Sequence, residues 1–137
     1  MAKTFTAAFA QNPKTFTAVA TDAVVDLNTD EPTNTVELLT AGSEGAIVTS
    51  ISAMPRGTVT ATSLLLFLSK DGVEKRLIAS EAMGAHTVEA TTSIPVVDFR
   101  YTENEPLRLE SGDKLFVGLG VESTTGGIVF TAQATDY

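Results

Sequence analysis

The segment Asp26-Leu27-Asn28-Thr29-Asp30 carries oxygen donors at alternate positions, and Glu37 stands twelfth from Asp26. That is the spacing of a calcium-binding loop, in which carboxylates and carbonyls surround a hard cation. The sixth place, however, holds Glu31 where the sharp turn of such a loop needs glycine, and Pro32 follows. A solvated acidic turn is therefore expected there, and no metal site. His86 is the only histidine. It could serve as the base for a Ser or Thr nucleophile if an acid oriented it. No Gly-x-Ser-x-Gly elbow presents such a nucleophile, so His86 reads as a surface or partner contact. Glu103 and Glu105 share a face if the chain is extended, the arrangement in which one raised carboxyl could protonate a glycosidic oxygen. Asn104 lies between them, and a charged rim is expected instead. The Gly-Gly pair and the Ser-Gly-Asp turn lack the Lys and the following helix of a phosphate loop. With no Trp and two Tyr, the chain also lacks the aromatic platforms of sugar-binding modules. No catalytic, cofactor-binding or metal residue is expected, and the chain reads as a non-enzyme.

Composition narrows the class further. A length of 137 residues suits one domain with a proper core, and 43% hydrophobic with 19% charged residues is the balance of a globular protein. The net charge of −8 disfavours nucleic acid, whose binders cluster Lys and Arg, and equally disfavours anionic membranes. There are no cysteines, which removes disulfides, thiolate metal sites and Cys nucleophiles together. Thr and Gln interrupt the apolar residues at the start, so a secretory signal is not expected, and no run is long enough for a membrane span.

The elements that would hold any site read as strands. Leu115, Val117, Leu119 and Val121 alternate with Phe116, Gly118 and Gly120, the period of a pleated strand over 114–121. An extended run (106–110) and a Ser111-Gly112-Asp113 turn precede it. A Gly-rich loop (123–127) leads to a last strand over 128–134, whose Ile128, Phe130, Ala132 and Ala134 repeat the pattern as its hairpin partner. The densest apolar run, 58–69, has Leu65 and Phe67 on one face and Leu64, Leu66 and Leu68 on the other, as in a central strand covered on both sides. Asp71-Gly72 marks a hairpin with a return strand over 73–79. Ser80 to Gly84 is expected as one helical turn. Shorter strands are expected over 35–40, with Val36 and Leu38 on one face, over 47–53, where Ile47 and Ile51 alternate with polar Ser and Thr, and over 86–89 and 96–99. These counts give an all-β fold, a single antiparallel β-sandwich or jelly-roll-like domain over 23–137. Residues 1–22 form an extended N-terminal segment. In it Thr4-Phe5-Thr6-Ala7 recurs as Thr15-Phe16-Thr17-Ala18, with a turn expected at Gln11-Asn12-Pro13-Lys14. The echo suits either an edge hairpin or an arm that pairs with a neighbouring subunit.

Two blocks carry a resemblance. Pro106-Leu107-Arg108-Leu109-Glu110-Ser111-Gly112-Asp113-Lys114-Leu115-Phe116-Val117-Gly118-Leu119-Gly120 is the first. The second is Ile51-Ser52-Ala53-Met54-Pro55-Arg56-Gly57-Thr58-Val59-Thr60-Ala61-Thr62 leading to Leu66-Phe67-Leu68-Ser69-Lys70-Asp71-Gly72. Together they resemble small virion proteins of tailed bacteriophages. The resemblance transfers no functional residue. It implies a capsid decoration (cement) protein made in the host cytoplasm, bound to the major capsid protein on the outer surface of the head, and homo-oligomeric, with a trimer favoured. The contact surface would include Phe5, Phe9 and Phe16; ordinary core packing of these rings is the other reading. Other virion roles (head fibre base, tail or connector) and a carbohydrate- or receptor-binding sandwich are the alternatives.

Overall fold

Asp71-Gly72, with Gly72 at φ +82°, reverses the chain at the centre of its pairing pattern. The computed structural model describes residues 12–137. Its strands are β1 (Asn12–Ala20), β2 (Val36–Thr40), β3 (Ala46–Pro55), β4 (Thr62–Ser69), β5 (Arg76–Met83), β6 (Val97–Asp98), β7 (Leu107–Leu109), β8 (Lys114–Leu119) and β9 (Ile128–Asp136). Antiparallel pairs nest around the reversal: β4 with β5, β3 with β6 and β7, β2 with β8, β1 with β9. The pattern is that of one long hairpin rolled over itself. Further pairing of β9 with β3 and of β8 with β4 closes the roll into two sheets, β1-β9-β3-β6/β7 and β2-β8-β4-β5. With β6 and β7 as halves of one interrupted strand, every connection but β4–β5 changes sheet. This is a double-sheet jelly roll, and the all-β sandwich expectation holds.

The core fills the space between the sheets. Val48, Ile51 and Ala53 of β3 and Ile128, Phe130, Ala132 and Ala134 of β9 enter it from one side. Leu64 and Leu66 of β4 and Leu115, Val117 and Leu119 of β8 enter from the other. Phe99 lies 6.4 Å from the Phe130 ring, centroid to centroid. The outer face of the second sheet is apolar too, as the run over 58–69 implies: Leu65, Phe67 and Phe116 form a second cluster under Val24. Val24 belongs to the β1–β2 connection (21–35), which folds across that face. It is held by Val24 N–H to Leu119 O at 2.8 Å, Asn34 Nδ2 to Ala23 O at 3.0 Å and Lys75 N–H to Asp30 O at 2.8 Å. Gly118 lets this flap down, since a Cβ there would overlap the Val24 side chain.

Several local expectations are corrected. β8 and β9 are not hairpin partners: they lie in different sheets, facing each other across the core, and the loop between them crosses the sandwich. Ser80 to Met83 belong to β5, because pairing with β4 overrides the capping signal. β5 begins at Arg76, not at residue 73. Ile47 and Ile51 face opposite ways because the register of β3 on β9 slips between Val48 and Ser50. A slip between Glu37 and Leu39 likewise buries both Leu38 and Leu39, so Val36 and Leu38 do not share a simple face. His86 makes an isolated bridge to Val59 instead of starting a strand. Asn12, Pro13 and Lys14, expected in a turn, begin β1, where an edge position tolerates the missing proline N–H.

Phe130→Ala is expected to cost about 3–5 kcal/mol by leaving a cavity between the sheets. Gly118→Ala should cost about 1–3 kcal/mol by lifting Val24 off the second cluster. Urea unfolding followed by circular dichroism checks both values.

Candidate interaction surface

The residues with possible chemistry are kept apart by the fold. Asp26 has φ +60° and its carbonyl accepts the Thr29 N–H and hydroxyl, so the expected acidic turn is local. Asp30 pairs with Arg76 at 3.3 Å, and Glu37 is in β2, 3.6 Å from Lys114. Among the described residues, no three His, Asp or Glu side chains converge as metal ligands. His86 exchanges backbone hydrogen bonds with Val59 at 2.9 and 3.0 Å. Its Nε2 is buried with no hydrogen-bond partner among the described residues, so no hydroxyl or acid forms a triad with it. Glu103 and Glu105 do not share a face: residues 102–105 bend, with Thr102 Oγ1 accepting the Glu105 N–H at 3.1 Å. Glu103 borders a groove with Thr49 and Gln133, and Glu105 a separate hollow with Arg100 and Tyr101.

Sequence reading missed two buried carboxylates, which sit at the end of the roll where β2–β3 and β7–β8 cross between sheets. Asp113 closes the turn after β7, in which Gly112 has φ +74°. Its carboxylate accepts the Glu110 N–H at 2.9 Å and Lys70 Nζ at 2.8 Å. The same hydrogen bond, with Glu110 adding to it, raises the Lys70 ammonium above its ordinary range. Asp136 ends β9, accepts the Gly42 N–H at 3.3 Å and holds Lys14 Nζ at 2.7 Å. The signal was available in outline: an aspartate one residue beyond a Ser-Gly turn, and an aspartate in phase with the buried alanines of β9.

The remaining feature is an edge and the face beside it. The outward residues of β1, β9 and β3 are Thr15, Thr17 and Val19; Val129, Thr131, Gln133 and Thr135; and Ile47, Thr49, Ser50, Ser52 and Met54. None of these is charged, although the chain carries −8; the charges bordering them are Lys14 and Glu103 at the groove, Asp98 opposite Ser52 and Arg108 opposite Ile47. β1 borders this face and, among the described residues, pairs only with β9. The direction of its backbone groups follows from the far side of the sheet. Ile51 O accepts the Phe99 N–H at 2.8 Å, so Ile51 turns toward β6 and away from Ala132 opposite it. Ala132 therefore bonds with Phe16, its partner on β1. Thr15, Thr17 and Val19 then point their N–H and C=O groups away from β9, at an edge that no other described strand covers. Phe16, one of the three expected contact residues, is half-buried beside this edge and packs on the core with Val36. Phe5 and Phe9 lie outside the described residues.

Asp71 accepts the Val73 and Glu74 N–H groups at 2.8 and 2.9 Å, which lowers its carboxyl below the ordinary range. Its folded value being the depressed one, the contribution is complete above the usual aspartate pKa of about 3.9 and fades as pH falls through the folded value. Protection of the Val73 and Glu74 amides, measured against their intrinsic exchange rates, should therefore be lost only below the ordinary carboxylate range, and in Asp71→Ala it should be lost at neutral pH too.

No protein-family model, curated protein or solved structure matches this chain.

Proposed function

We propose that this chain is a structural virion protein of a tailed bacteriophage, a decoration protein that binds the major capsid protein on the outside of the head and stabilises the shell. The observation that carries the reading is the uncharged, hydroxyl-lined face of β1, β9 and β3 with the open edge beside it, set on an otherwise acidic body. Such a surface brings few charges to desolvate against another protein, Lys14 and Glu103 at its bordering groove among them, and the acidity keeps the other surfaces of neighbouring copies apart. The resemblance carried by residues 51–72 and 106–120 supports the same reading. So does the double-sheet jelly roll, an architecture shared by viral capsid and lectin domains, although fold alone does not decide function.

Each copy would contact the shell or a neighbouring subunit through the N-terminal segment bearing Phe5 and Phe9 and through the Phe16 edge. A modest patch suffices, because contacts repeated over a lattice, and several copies joined in one oligomer, raise the overall affinity without new chemistry. A homotrimer fits this role.

Quantitative gels and electron microscopy of purified virions provide the test. Many copies distributed over the head are expected. A small number at the tail or neck would replace the reading with a tail or connector role, and absence from particles would redirect work to glycan and receptor binding. Removal of residues 1–11 should reduce capsid occupancy at least about tenfold, the equivalent of about 1.4 kcal/mol per copy, while the circular dichroism of the body is unchanged.

A further inference from the structure

We infer that the free edge of β1 receives a strand from a second copy of this chain, supplied by residues 3–8 of its N-terminal segment. The four edges of the roll are not equivalent. β2 is short and its register slips, β5 pairs with a slipped register, and β6 and β7 are two short pieces. β1 alone runs nine residues in unbroken register, with Thr15, Thr17 and Val19 aimed outward and only Pro13 interrupting the row of donors. A long regular edge is a template for strand addition.

The sequence of the segment matches this site. Thr4-Phe5-Thr6-Ala7 repeats Thr15-Phe16-Thr17-Ala18, whose Phe and Ala already face inward on this sheet while its Thr residues face out. A strand with the same alternation sets Phe5 beside the half-buried Phe16 and Val36, covering the seam between the sheets, and continues the hydroxyl face with Thr4 and Thr6. Charge agrees: residues 1–11 contain Lys3 and no acid, whereas all 17 acidic residues lie in the rest of the chain. Folding back onto its own β1 would require a reversal within Ala8-Phe9-Ala10-Gln11, which has no turn-forming residue, since Asn12 and Pro13 are already in the strand. The donor is therefore another copy. Such an exchange closes either reciprocally, as a two-fold dimer, or as a ring in which each copy passes its segment to the next. The inference deepens the proposed homo-oligomer, yet it concerns the isolated protein, so its failure leaves the capsid reading to be judged on virions.

The experiment uses the full chain, a variant lacking residues 1–8, and full-length Thr17→Pro, in analytical ultracentrifugation. The proline removes an N–H that faces the free edge and none of the bonds to β9. The full chain should form a closed oligomer. Each variant alone should be a monomer with unchanged circular dichroism, its self-association weakened at least about tenfold. Mixed, they should form a one-to-one pair, because one keeps the edge and the other keeps the arm. A monomeric full chain, an oligomer that survives removal of residues 1–8, or variants that do not combine would overturn the inference. Should Thr17→Pro fail to fold, full-length Phe5→Asp decides: its monomer would agree with the inference, and an oligomer like that of the full chain would refute it.

Discussion

Chain crossings between sheets expose backbone groups that no ladder can bond, and in this jelly roll nearly every connection is a crossing. Asp113 and Asp136 solve the problem at one end. Asp113 takes the Glu110 N–H and Lys70 with its carboxylate, while its backbone carbonyl takes the Ala41 N–H at 2.8 Å. Asp136 takes Gly42 and Lys14, which joins the last strand to the β2–β3 crossing and to the first strand. Both carboxylates are nearly out of water, where a charge is tolerated only with such partners. At the opposite end neutral hydroxyls do the same work. Thr62 Oγ1 accepts the Val121 N–H at 2.9 Å, Ser123 Oγ accepts the Gly127 N–H at 3.2 Å, and the Thr125 hydroxyl donates to Thr58 O. Without these bonds the nested pairing would have no stable corners.

Alternation was a sound guide to strands and a poor one to partners. The inward faces of 114–119 and 128–134 were legible, and Leu115, Leu119, Ile128 and Phe130 are all buried, whereas Val121, expected in the same row, lies past the end of β8 and is exposed. Their placement in separate sheets was not, because a period of two says which side of a strand is apolar and nothing about its neighbour. The glycines after Leu119 looked like hairpin chemistry but serve a crossing: a Cβ on Gly127 would lie 2.6 Å from Ala20 O. The register slips in β2, β3 and β5 were invisible for a similar reason, since an extra residue leaves no compositional trace when it is Leu38, Thr49 or Ile78. Among site residues, only Phe16 can be compared with the structure, and it lies at the edge. The buried aspartates escaped notice because the sequence does not distinguish a buried acid from the many exposed ones.

The edge and the acidity of the body belong to one physical problem. A nine-residue regular edge would ordinarily invite pairing with any extended chain, including a second β1. Two acidic bodies brought together through their β1 strands would repel, and Pro13 shortens the usable row of donors at one end. A short strand without acids suffers neither penalty. Residues 1–11 contain no acid, and in the proposed exchange they would supply such a strand, tethered to every copy just before the edge itself, which raises their local concentration within an assembly. Charge distribution therefore favours one occupant over the others, where backbone hydrogen bonding alone would not discriminate. The same reasoning explains why the adjoining face can remain uncharged without causing indiscriminate association: its hydroxyls stay hydrated until a partner of fitting shape is held against them by the edge.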